Sequence, residues 1–137
     1  MIRGFTCSAF DLLHAGHVEM LRECKQHCDW LIVGLHVNPQ FQRLVKNSPI
    51  QTVYERYIQL RGNAFVDEIL PYETEQDLIN MLSIEPISVR FVGEEYRGSR
   101  LTGQDVCEKR GIKIIYNRRL HDYSSSALRK RILDGYV

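Results

Sequence analysis

Two histidines three residues apart flank a glycine in the segment Ser8-Ala9-Phe10-Asp11-Leu12-Leu13-His14-Ala15-Gly16-His17. The segment follows a short apolar stretch and precedes a run with helical spacing, so it reads as a strand-to-helix turn. The first turn of a helix offers unpaired backbone N–H groups and a partial positive charge, and both attract anions. Imidazoles donate hydrogen bonds and can be cationic near neutral pH. Gly16 lets backbone approach a ligand closely. The chemistry expected of His14, Gly16 and His17 is therefore phosphate binding. For a single histidine, capping or packing is the competing role. The pair, the glycine and Asp11 together favour the anion site. Zinc is the weaker reading, because no third ligand is placed and the histidines are not at i, i+4; no metal site is assigned.

A second candidate lies near the other end. Ser124, Ser125 and Ser126 open the last expected helix, and Arg119 stands just before them. Hydroxyls and free N–H groups at a helix start can hold phosphate oxygens. Residues 109–131 contain eight basic residues against one acid, Asp122, which points to a polyanionic ligand. Arg129, Lys130 and Arg131 sit in the helix body and read as a solvated basic face. Between the two candidates, Gly93-Glu94-Glu95-Tyr96 follows an expected strand. Gly93 permits close approach, the carboxylates can accept hydrogen bonds from a base or sugar, and Tyr96 can stack; a polar turn is the alternative. Lys46, in the loop 38–51, is a candidate to close over phosphates; a solvated loop lysine is the alternative. Arg56, early in a helix, is a candidate for an acceptor phosphate.

The elements that must hold these residues alternate along the chain. Strands are expected at 2–7, 30–36, 66–70, 88–92 and 112–116, with Pro71 ending the third. Helices are expected at 16–28, from Thr52 to about 62, at 74–82, at 103–110, and from Ser124 to about 133. Thr52 with Glu55 forms a capping box, and Thr74 is a cap with Asp77 in the first turn. Gly111 stops the fourth helix. Cys24 and Cys28, at i, i+4, are packing residues, and Trp30 and Phe91 are core. A βα alternation of this kind implies a parallel sheet with helices on both faces, hence an α/β, doubly wound domain. Ligands of such sheets bind at the carboxyl ends of the strands, where strand order reverses.

Composition narrows the class. The 137 residues suffice for one domain, and 44% hydrophobic with 26% charged residues is an ordinary globular mix. A net charge of +1 disfavours a globally basic DNA- or RNA-binding protein, and no recognition motif is present. No apolar run approaches the ~20 residues that span a bilayer. Asp and His interrupt the N-terminal stretch, so it does not read as a signal peptide. Four cysteines, at 7, 24, 28 and 107, form no regular framework and suit a reducing compartment, so a cytoplasmic location is expected.

Phe10-Asp11-x-x-His14-x-Gly16-His17 resembles the HxGH signature of the nucleotidyltransferase superfamily, in its small cytidylyltransferase branch. Arg119-Leu-His-Asp-Tyr-Ser124-Ser125-Ser126 is similar to that family's second signature, an Arg before a Ser/Thr triplet. The likeness runs from residue 2 to about 133, and the chain looks most like bacterial glycerol-3-phosphate cytidylyltransferases. It implies a Rossmann-like fold with five parallel strands. It also implies transfer of a nucleoside monophosphate from a triphosphate, CTP, to glycerol 3-phosphate, with pyrophosphate released. Mg²⁺ would arrive on the triphosphate, and the protein would be a homodimer with neither nucleic-acid nor membrane partners.

The same resemblance implies the site roles. His14, His17, Lys46 and Arg119 would be catalytic. Ala9, Phe10, Asp11, Gly16, Gly93, Glu95, Tyr96 and Ser124, Ser125 and Ser126 would bind nucleotide, and Arg56 the acceptor. ATP with FMN or a sugar phosphate is the second expectation. A catalytically weak nucleotide-binding module is the third, because Ser8 and Ala9 stand where the family has Gly and then Thr or Cys. Ala64 stands where an Arg often precedes the third strand, and Arg61 is the candidate replacement.

Overall fold

Residues 31–35, Leu-Ile-Val-Gly-Leu, are all buried. A strand can be buried along its whole length only if both faces of its sheet are covered. The computed structural model describes residues 1–39 and 48–135 and shows how that is achieved. The elements are β1 (Arg3–Ser8), α1 (Ala15–Gln26), β2 (Trp30–His36), α2 (Val53–Arg61), β3 (Glu68–Tyr72), α3 (Glu75–Ile84), β4 (Val89–Gly93), α4 (Gln104–Arg110), β5 (Lys113–Asn117) and α5 (Ser125–Gly135). The five strands form one parallel sheet in the order β3-β2-β1-β4-β5. The expected doubly wound α/β class is the one observed.

Each face has its own core. Leu21 and Cys24 of α1 and Leu60 of α2 pack with Leu31, Val33, Leu35, Val89 and Phe91 on one face. Leu78 and Leu82 of α3 and Cys107 of α4 pack with Phe5 and Ile32 on the other. The chain lays down β1, β2 and β3 outward, then crosses back over β1 to start β4. Strand order thus reverses between β1 and β4, and the crevice expected there opens at Ser8 and Gly93.

Local chemistry starts and stops the helices. Thr52 and Glu55 form the expected capping box of α2, and Thr74 and Asp77 form another at α3. Gly111 ends α4 at φ 68°, in the left-handed region that glycine adopts without strain. Ser124 caps α5, its Oγ accepting from the Ala127 N–H at 3.0 Å. Cys24 is buried and its thiol is pushed up to about 12 by desolvation, as its packing role requires. Trp30 is only half-buried and donates its indole N–H to Glu68 at 2.9 Å.

The third strand departs from expectation. It runs two residues later than expected, and Pro71 lies inside it, in register with Leu35. β3 is an edge strand, where a residue lacking an N–H can face solvent without breaking a ladder bond. Its start is set by Asp67, whose carboxylate accepts the Leu31 N–H at 2.8 Å and pairs with Lys25. Among the described residues no helix is long and apolar enough to cross a membrane.

Candidate active site

The turn between β1 and α1 is held from several sides. Phe10 and Leu12 both have φ of 52°, a conformation that costs non-glycine residues energy and persists only where the surroundings enforce it. The Phe10 ring is buried in the α1/α2 core. The Asp11 carboxylate accepts the N–H groups of Ile50 and Gln51 at 2.8 and 2.9 Å and pairs with Arg129 of α5 at 3.0 Å. The Leu12 N–H donates to Gln51 Oε1 at 2.7 Å. Phe10 and Asp11, which the resemblance gives to the nucleotide, work from behind the cleft: Asp11 orders the loop, the Phe10 ring anchors it, and neither residue lines the opening.

The histidines cap α1 and line the cleft at once. His14 is the N-cap; its Nδ1 accepts from the Gly16 N–H at 3.0 Å, while the His14 N–H donates to His17 Nδ1 at 3.2 Å. This reciprocal bonding is a capping box written with imidazoles. It also sets their tautomers. A neutral ring whose Nδ1 accepts must carry its proton on Nε2, so both rings present Nε2–H as a donor. The rings lie 4.1 Å apart, and His14 Nε2 is 3.1 Å from Ser125 Oγ at the start of α5. Two helix N-termini therefore meet at one point.

Electrostatics corrects one expectation. Desolvation lowers the His17 pKa to about 4, helped by His14 and opposed by Asp11. Desolvation, then His121 and Arg119, also lowers that of His14. At neutral pH the free site therefore holds neutral imidazole donors rather than imidazolium. Fixed positive charge comes instead from Arg119, whose Nη2 donates to the Tyr123 carbonyl at 3.0 Å, and from Arg118 beside it in the cleft wall.

The cleft measures about 620 Å³, in the roughly 300–1,000 Å³ range of small-molecule sites. Around it the structure gathers Ala9, His14, Gly16 and His17 with Arg119, Ser124 and Ser125, and Gly93, Glu95 and Tyr96 from the β4 end. Residues 94–96, read as a loop, form a single 3₁₀ turn. Ser126 is exposed and outside the cleft wall. Lys46 lies outside the described residues.

Arg56 is the clearest displacement from expectation. It is 2% exposed and donates to four backbone carbonyls: Gln51, Ala9, His36 and Val37. Its guanidinium ties the ends of β1 and β2 to the start of α2 and is not part of the cleft wall. Two contributors escaped the sequence reading. Arg129, assigned to a solvated face, reaches Asp11; its position four residues after Ser125 puts both on one side of α5 and was the available sign. His121 lines the cleft beside Arg119, with nothing but its place in the Arg119 motif to mark it.

Gly16 is required by close approach. A Cβ there would lie 2.8 Å from His14 Cε1 and 3.1 Å from Tyr123 Cβ. Gly16→Ala is therefore expected to push His14 off Ser125 and, if His14 meets the substrate, to lower kcat/KM by about 10–100-fold, the penalty of misplacing a reacting contact by about an ångström. Steady-state kinetics beside a melting curve test this; full activity in a folded variant would mean that His14 placement is not critical.

A doubly wound sheet whose switch point carries two converging helix N-termini, paired imidazole donors and arginines defines a nucleotidyltransferase-type site. The chain belongs to the cytidylyltransferase-like family, whose model matches residues 5–131. It is 30% identical over 133 residues to the bifunctional protein HldE of Hyphomonas neptunium, covering 96% of this chain and 27% of that one. It is 35% identical over 129 residues to HldE of Wolinella succinogenes, covering 93% and 26%. The chain thus spans about a quarter of the length of these curated relatives. The crystal structure of the lipopolysaccharide core biosynthesis protein from Thermoplasma volcanium has the same fold. Its TM-score is 0.72 at 24% identity, over 88% of this chain and 99% of that one.

Proposed function

We propose that the protein transfers a nucleoside monophosphate from a nucleoside triphosphate to the phosphate of a small phosphorylated acceptor. The observation that carries this reading is the 3.1 Å contact between His14 and Ser125, which joins the starts of α1 and α5 over one cleft. An acceptor phosphate oxygen attacks the α-phosphorus in line, the bond to the bridging oxygen breaks, and pyrophosphate leaves with that electron pair. The acceptor phosphate is already anionic, so no general base is needed. The work of the protein is to align two anions and stabilise the charge that moves between them. His17 donates from Nε2 to an α-phosphate oxygen, and His14 does so by exchanging its Nε2 bond to Ser125 Oγ for a phosphate oxygen. Arg119 and the α5 start hold the β- and γ-phosphates, the role also assigned to Lys46. Gly93, Glu95 and Tyr96 flank base and ribose. Mg²⁺ belongs to the substrate, carried on the triphosphate oxygens.

CTP with glycerol 3-phosphate is the pair the two signatures imply. ATP with a sugar phosphate is the second reading. It is favoured by the likeness to the HldE relatives. Pyrophosphate release is measured with CTP and ATP, each against glycerol 3-phosphate, FMN and a set of sugar 1-phosphates. Release is expected only when triphosphate and acceptor are both present. No release from any combination would leave a nucleotide-binding module.

The α5 start has its own test. If it grips the leaving pyrophosphate, Arg119→Ala lowers kcat as well as triphosphate affinity, because the charge it meets grows as the bond breaks. If Ser125 only supports the helix start, Ser125→Ala costs about 1 kcal/mol or less of stability and leaves kinetics intact. Melting and kinetics on both variants distinguish the two; unchanged kinetics in both would remove this motif from the site.

We further propose a homodimer. Tyr54 and Ile58, one turn apart on α2, are 69% and 47% exposed and form an apolar pair suited to a two-fold contact. Sedimentation at micromolar concentration is expected to show twice the 16.0 kDa chain mass; a lone monomer would refute this.

A further inference from the structure

The cleft has a second wall, on the α3/α4 face of the sheet, that the phosphate chemistry above does not use. Arg90 of β4 lies in it, with Tyr72, Leu78, Leu101 and Thr102 around it. Arg90 is 4% exposed. Its register partners are Phe5 on one side and Ile114 on the other, and Phe5 in turn pairs with Ile32. A guanidinium therefore interrupts an apolar row on a buried sheet face.

This arginine is poorly satisfied. Nη1 donates to the Thr102 carbonyl at 2.6 Å and comes within 4.0 Å of Cys107 Sγ. Nε is sealed from solvent without an acceptor. Nη2 has no acceptor among the described residues. Nor does any carboxylate among them lie within ion-pair distance. Glu75, the acid in this network, has Oε1 on the Thr102 hydroxyl at 3.4 Å instead. Arg56 shows what a buried arginine looks like when its task is structural, with four carbonyls around one guanidinium. Arg90 has one. Arginine does not lose its proton in proteins, and a buried charge without a partner is strongly unfavourable. A cleft-lining arginine left in this state is suited to an anion supplied by a ligand.

Its depth says which part of the ligand. Arg90 is in register with Phe5, three residues before the end of β1. At about 3.3 Å per residue its backbone lies roughly 10 Å below the strand ends where His14 and His17 act. Its guanidinium, held at the Thr102 carbonyl, lies on the α3/α4 side of the sheet while His14 and His17 lie on the α1 side, so a group bound there is a different part of the substrate from its reacting phosphate.

We propose that the acceptor carries, besides the phosphate that attacks, a second anionic group, carboxylate or phosphate, and that Arg90 receives it. The proposal rests on the nucleotidyl-transfer reading and sharpens its acceptor. The test uses acceptors that differ by that group alone: glucose 1-phosphate against glucuronate 1-phosphate and against glucose 1,6-bisphosphate, and glycerol 3-phosphate against 3-phosphoglycerate. Calorimetric Kd and pyrophosphate release are measured for wild type, Arg90→Met and Arg90→Lys. In at least one pair the doubly anionic member is expected to bind wild type tenfold or more tightly. Arg90→Met should erase that difference without changing Kd for the singly anionic member, and Arg90→Lys should retain part of it.

Should Arg90→Met not fold, Arg90→Lys carries the comparison. The expectation is the opposite: removing an unpaired buried charge leaves the melting temperature at or above wild type, and a fall of about 10 °C would make Arg90 structural. Equal binding within every pair, or a preference that survives Arg90→Met, would overturn the anion site. Selective binding without pyrophosphate release would overturn the transferase reading and leave the site standing.

Discussion

His17→Ala is expected to lower kcat by about 100-fold or more at saturating triphosphate, with the fold retained and the melting temperature lowered only by the few degrees that a lost cap costs. The magnitude is that of removing one donor aimed at charge developing in the transition state, about 2.7–4 kcal/mol. The structure supplies the reason for such an effect. His17 Nδ1 is occupied by the His14 N–H at 3.2 Å, so the ring cannot swivel and its Nε2–H is already oriented before substrate arrives. A donor that needs no reorientation acts fully at the moment of reaction. The same geometry makes a pH prediction. Because the free-enzyme His17 pKa is lowered to about 4, kcat/KM, which reports free-enzyme ionisations, should show no limb from this residue between pH 6 and 8. The His17→Ala defect should then be constant across that range. A defect that disappears as pH rises through 7 would mean that imidazolium, not the neutral ring, does the work. Wild-type kcat in the variant would remove His17 from the mechanism.

The parts of this molecule legible in its sequence are those decided locally. The capping boxes at Thr52 and Thr74 involve residues three apart, so their chemistry is complete within a turn. The stretch 31–35 is apolar and buried because both its faces are covered, and that alone implies the two helical layers. The paired histidines were legible because the anion binding proposed for them and the capping observed make the same demand of the first turn of α1. The parts that were not legible depend on what lies across the sheet. Pro71 reads as a strand terminator until β3 is known to be an edge. Arg129 reads as solvated because its partner, Asp11, is 118 residues away. The Arg90 row on β4 reads as an ordinary charged interruption until Phe5 and Ile114 are found beside it. For the two arginines the residue type reports solvation and the tertiary neighbours reverse it; for Pro71 it is the strand's place at the sheet edge that reverses the reading.

Arg56 is the sharpest case and carries the second large prediction. As a charged residue in the first turns of an amphipathic helix it suggests a surface cation free to meet a substrate phosphate. In the structure Nε reaches Gln51 O at 3.2 Å, Nη1 reaches Ala9 O and His36 O at 3.0 and 2.8 Å, and Nη2 reaches Val37 O at 2.7 Å. Those carbonyls end β1 and β2 and precede α2, three segments that diverge at the mouth of the crevice. Arg56→Ala removes all four bonds and strands buried acceptors, which should cost on the order of 3–5 kcal/mol. For a domain of this size that is a fall in melting temperature of roughly 10 °C or more. Arg56→Lys should recover only part of it, because a compact ammonium with three donors cannot span acceptors set out for a planar fork. An acceptor-binding arginine predicts the converse. Arg56→Lys would then melt like wild type and raise KM for the acceptor, with KM for the triphosphate unchanged. Thermal melting of both variants, with kinetics for each substrate at a temperature where the variants remain folded, decides between them. A stable Arg56→Ala protein with a raised acceptor KM would return this residue to the substrate side of the site.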